Sequence, residues 1–128
     1  MQNIKVSAYT LLVLLSVLIF HILGMAEHLY IRFWFYDIFM HILGGIGIAM
    51  SVYCVILFLK RDNIKNDLWK MLLLVLAAGL SWELFEVYFN IAGSRLWTTP
   101  YYIDTVKDLI NDMIGAIIVI FIIKKQIK

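Results

Sequence analysis

One cysteine, one proline and few charges set the limits on this chain. With Cys54 alone, no intrachain disulfide can form, and its place inside an apolar run makes it a small buried hydrophobe. Pro100 falls in a connection, so no long apolar run holds the residue that breaks helices. Charged residues are 16% of the chain against 63% hydrophobic, and the mean hydropathy is +0.90. A soluble domain has a far smaller apolar share and a higher charge density, which excludes an ordinary soluble fold and points to an integral membrane protein. The formal net charge of +2 says little by itself, and no nucleic-acid partner is expected. A length of 128 residues allows one small bundle. The expectation is therefore a single membrane domain over 1–128, all-α, a four-helix transmembrane bundle.

Four apolar stretches carry that expectation, at about residues 6–24, 37–59, 70–90 and 104–123. The first is interrupted only by Ser7, Thr10, Ser16 and His21. Gly24-Met25-Ala26 has the small-x-small form of a signal cleavage site, but the run is longer than a usual signal core, and a retained helix is expected. Residues 27–36 mix Glu27, His28 and Arg32 with Tyr30, Phe33, Trp34, Phe35 and Tyr36, the composition of a membrane interface. They are expected to lie on the surface, a bent extension of the first helix being the alternative because no Pro or Gly interrupts 25–36.

The second stretch opens with Asp37 and His41 and continues through Gly45-x3-Ala49 and Gly47-x3-Ser51, the small-residue spacing that lets membrane helices approach closely. That face is expected against the third or fourth span, with Ile56 towards lipid. The third ends in Trp82-Glu83-x2-Glu86, whose glutamates are i, i+3 neighbours on one helix face. A connection with Gly93, Arg95, Trp97 and Pro100 follows, and Asp104 or Thr105 is expected to cap the fourth span.

Lys5, the segment 60–70 and the C-terminal lysines hold eight of the eleven basic residues, on one side of a four-span chain. This predicts a multi-pass protein of the cell membrane with both termini cytoplasmic.

The chemistry concentrates in Asp104, Asp108 and Asp112, spaced i, i+4 and i+8, with Asn111 beside the last. Those offsets fall on one stripe of a helix and descend about 12 Å into the membrane. Ionisable groups there cost a few kcal/mol each unless they face partners or a cavity, so they mark a functional site. On this topology Asp37, His41, Glu83, Glu86 and His21 lie at the same outer end, and acids far outnumber the nearby bases Arg95 and Lys107. Close carboxylates either share protons or hold a cation; oxygen-rich sites suit Mg²⁺, Ca²⁺ or Mn²⁺, and imidazole admits Zn²⁺ or Fe²⁺. The expected divalent-cation ligands are His41, Glu83, Asp108 and Asp112, with Glu86 as base and Glu83 beside it in any catalysis. Asp37, Asp104, Asn111, Arg95 and His21 complete the polar cluster, Asp37 and Asp104 reading as solvated first-turn residues outside the ligand shell. Such a pocket suits a lipid-linked or anionic ligand held through the cation, and metal-assisted hydrolysis or transfer. A proton- or cation-coupled transporter and a non-catalytic accessory subunit are the alternatives. Membrane lipids are the expected partners, with a homo-oligomer open.

The pattern Asp37-x3-His41-x2-Gly44, Glu83-x2-Glu86, Arg95 and Asp108-x3-Asp112-x2-Gly115-Ala116 resembles the VanZ-like family of small membrane proteins. Trp82-Glu83-x2-Glu86 and Asp104-Thr105-x2-Asp108 are similar to YjdF-like membrane proteins. The VanZ-like pattern often has Gln where Glu86 stands and Asn where Asp112 stands, so this chain is more acidic. The resemblance, over residues 37–116, implies a helical bundle with a polar site facing away from the cytoplasm.

Overall fold

The computed structural model describes residues 2–59, 64–89 and 99–126. Among them are five helices and no strand: α1 (Gln2–Ala26), α2 (Leu29–Arg32), α3 (Tyr36–Phe58), α4 (Ile64–Tyr88) and α5 (Thr99–Gln126). The fold is all-helical, with four long helices and one short one. Three have the length and apolarity to cross a membrane, over Ile4–Ala26, Tyr36–Phe58 and Asp67–Tyr88. The 28-residue α5 is long enough but carries Asp104, Lys107, Asp108 and Asp112 in its first half, which keeps it out of that set.

Helix α1 ends at Ala26 without a bent extension, and residues 27–35 form a turn and the short α2, mostly exposed as a surface segment would be. His28 takes a left-handed backbone (φ 54°, ψ 35°), which ends α1, and Phe33 is extended after the single turn of α2. For a non-glycine residue that conformation costs about 1–2 kcal/mol. Contacts on the inner side of the turn offset it: the Tyr36 hydroxyl donates to the Phe20 carbonyl at 2.6 Å, and Tyr30 Oη meets His21 Nδ1 at 2.9 Å. Both tyrosine rings press against Gly24, where a Cβ would come within 2.6 Å of each. Tyr30 and Tyr36 thus fold the chain back onto α1, while Ile31 and Trp34 stay over 80% exposed, as interfacial side chains would.

Helix α3 is central, packing against α1, α4 and, most extensively, α5. The small residues divide between two neighbours. Gly45 lies against the backbone of Asp112, and Gly115 against the backbone of Ile42 and Ile46, so α3 and α5 touch main chain to main chain. Gly47 faces the other way, onto Leu14 and Val13 of α1. Below the glycines the apolar core gathers Ala49, Tyr53, Ile56, Met71, Val75, Ala116 and Val119. Ile56 is therefore core and not lipid-facing: eleven residues after Gly45 is almost three full turns, which returns it to the same face. Cys54 is only part-buried, its Sγ 3.2 Å from the Thr10 hydroxyl of α1.

Two helices begin earlier than their apolar runs. The polar lead-in to α4 is helical from Ile64, and Lys70 pairs with the buried Asp67 one turn away at 2.7 Å. Pro100 sits in the first turn of α5, where its missing N–H has no intrahelical partner to lose, so α5 starts at Thr99 and neither Asp104 nor Thr105 is its cap.

Candidate functional site

Asp37 and His41 stand one turn apart on α3, facing the acidic stripe of α5. The imidazole is buried between carboxylates of both helices. His41 Nε2 lies 3.7 Å from Asp37 Oδ1 and 3.9 Å from Asp108 Oδ1, and His41 Nδ1 lies 3.3 Å from Asp112 Oδ1. The two ring nitrogens therefore have different surroundings. One ligand atom each from Asp37, His41 and Asp108 falls within 4.8 Å of the others, a grouping that could hold a metal ion. Ligands 2.0–2.2 Å from a common ion stand about 3.0–3.4 Å apart, so His41 Nε2 would close on either carboxylate by less than about 1 Å. Asp108 Oδ1 is buried and, among the described residues, has no hydrogen-bond partner. Asp112 Oδ1 lies on the opposite ring nitrogen, where it could accept Nδ1–H and leave the Nε2 lone pair facing Asp37 and Asp108.

Glycines on both neighbouring helices set the position of Asp112. Gly45 lets its backbone approach α3, and Gly79 of α4 leaves room for its Oδ2, which a Cβ there would strike. Lys107 completes the cluster, its ammonium 2.8 Å from Asp104 Oδ1, 3.7 Å from Asp37 Oδ2 and 3.8 Å from Asp108 Oδ1.

The other sequence candidates lie around this centre. Glu83 of α4 is buried beside α5, its Oε2 accepting the Thr105 hydroxyl at 2.7 Å and its Oε1 without a partner among the described residues. Glu86 accepts the Trp82 indole N–H at 2.8 Å. The same indole meets the His21 ring edge-on at 5.6 Å, so His21 belongs to an aromatic group with Tyr30 and Trp82. Burial, reinforced by Tyr36, Asp37 and Glu86, pushes the Tyr30 phenol above its usual range. Asn111 is buried, with no partner for Nδ2 among the described residues. Arg95 lies outside the described residues. On the side of α5 turned away from the acids, Leu76, Val106, Leu109, Ile110 and Met113 line a wholly apolar groove of about 310 Å³.

Sequence reasoning put Asp37 at the solvated edge, named Lys107 only as a nearby base and Thr105 only as a cap, and did not single out Gly79. The i, i+4 spacing of Asp37 and His41 was a signal for the first. Lys107, between Asp104 and Asp108 in sequence, signalled its own place at the cluster.

Fold and cluster define a class: a helical membrane protein with a buried acid–histidine group between two of its helices. The chain belongs to the family described as predicted membrane protein (DUF2238), whose sequence model matches residues 1–128. No curated protein and no solved structure matches it.

Proposed function

We propose that this is a four-span protein of the cell membrane, one domain with α5 as its fourth span, which holds a divalent cation between Asp37, His41 and Asp108. Asp112 orients His41, and the site opens away from the cytoplasm. The observation that carries the reading is the arrangement around His41, with Nδ1 on one carboxylate and Nε2 towards two others, one of them presenting a buried oxygen with no hydrogen bond among the described residues. The proposed ligands differ from the sequence set by exchanging Glu83 and Asp112 for Asp37. Two carboxylates and one imidazole favour Mn²⁺ or Zn²⁺ over Mg²⁺, which prefers oxygen and keeps its waters. The cation would engage a lipid-linked or anionic ligand from the outer leaflet. Hydrolysis or transfer assisted by the metal is the chemistry such a site would serve, with Glu83 the buried carboxylate free to meet a ligand. The patterns Asp37-x3-His41-x2-Gly44 and Asp108-x3-Asp112-x2-Gly115 support a kinship with VanZ-like proteins, and Trp82-Glu83-x2-Glu86 with Asp104-Thr105-x2-Asp108 one with YjdF-like proteins.

Titration of the purified protein with Mn²⁺, Zn²⁺ and Mg²⁺ tests the site. One ion per chain is expected, Mg²⁺ weakest, with Asp108→Asn binding at least about a hundredfold more weakly, or about 2.8 kcal/mol. Equal isotherms for wild type and variant, or no binding in either, would remove the cation.

Orientation is tested separately, in a Cys54→Ser background. An impermeant thiol reagent on intact cells is expected to label Trp97→Cys and not Lys65→Cys, because the basic residues beside position 65 hold that end inside. Labelling at 65 alone would reverse the topology and turn the site inward.

A further inference from the structure

Lys107 claims the same carboxylates as the cation. Its ammonium is nearest to Asp104, but Asp37 and Asp108 also lie within 4 Å, and these are the two carboxylates of the three-ligand group. The overlap reaches a single atom: Asp108 Oδ1 stands 3.9 Å from His41 Nε2 and 3.8 Å from Lys107 Nζ, with no hydrogen bond of its own among the described residues. A divalent ion bound there would repel the ammonium strongly at that range. Asp104, whose side chain is half exposed, can keep Lys107 on the outer side once the inner oxygens are taken.

We propose that Lys107 is a tethered counter-ion which the divalent cation must displace, and that it makes the site reject monovalent cations; this rests on the cation reading above. Held on its own helix, the ammonium competes at a high effective concentration. A monovalent ion gains nothing in charge by replacing it, whereas a divalent ion does. Lys107 is thus a specificity residue, not a ligand.

The test compares wild type, Lys107→Met and Lys107→Arg in the full chain, with Mn²⁺ as probe and its free concentration read by electron paramagnetic resonance, in buffers of equal ionic strength with and without K⁺. Lys107→Met is expected to bind Mn²⁺ at least about tenfold more tightly and to become sensitive to competition by K⁺. Lys107→Arg, whose planar fork holds carboxylates better, is expected to bind more weakly than wild type. In wild type, Mn²⁺ should speed the reaction of Lys107 with an amine-directed reagent, read on its peptide by mass spectrometry. A purely structural lysine would instead lower the thermal stability of Lys107→Met and leave Mn²⁺ affinity, K⁺ insensitivity and labelling unchanged. That outcome, with wild type still binding Mn²⁺, overturns the counter-ion and leaves the cation site standing; absence of Mn²⁺ binding in all three proteins overturns both.

Discussion

Gly45→Ala is expected to destabilise the protein by about 3 kcal/mol or more, while Gly44→Ala, one residue away, leaves stability unchanged or slightly raised. The two exchanges share their chemistry and helix propensity and differ only in what the added methyl meets. At Gly45 it strikes the backbone carbonyl of Asp112, which cannot rotate aside as a side chain would; at Gly44 nothing among the described residues lies within 4 Å. Relief requires α3 and α5 to separate, and with them would go the approach of His41 to Asp108 and Asp112. Thermal unfolding in detergent checks the pair. Equal midpoints would mean that the glycine contact does not hold these helices together.

His41→Gln should abolish measurable cation binding, a loss of about a thousandfold or more, whereas Asp112→Asn should cost only about ten- to a hundredfold. The reasons differ. Glutamine removes the Nε2 lone pair between Asp37 and Asp108, and with it a ligand. Asparagine keeps an oxygen that accepts Nδ1–H, so the ring stays oriented, but it withdraws the negative charge that makes the imidazole a better donor. A series of Zn²⁺ or Mn²⁺ affinities for wild type and the two variants reads the order directly. If Asp112→Asn lost as much as His41→Gln, Asp112 would be a ligand itself, as the acidic stripe first suggested.

The choice between these two roles for Asp112 is where sequence reasoning stops. The stripe Asp104, Asp108 and Asp112 was legible because helical periodicity fixes which residues share a face, and the same rule brings Asp37 and His41 together. Which carboxylate addresses which imidazole nitrogen depends on how two helices are rotated about their axes, and no period in one segment contains that. The small residues of α3 were legible as contacts, but their division between α1 and α5 was not. Apolar runs located the long helices, yet α4 and α5 extend past them because Lys70 with Asp67 and the first-turn Pro100 suit helix ends. The turn at His28 left no trace in composition, since its support comes from Tyr30 and Tyr36 reaching back to α1.

The helix that contributes Asp37 and His41 and the one that contributes Asp108 and Asp112 are separated along the chain by the whole of α4. On the four-span reading proposed above, α3 would enter the membrane before the helix that supplies Asp108, Asp112 and the backbone against Gly45, so arrival of α5 would be the step that closes both the apolar core and the polar cluster, and a delay there would leave an ionisable pair uncovered.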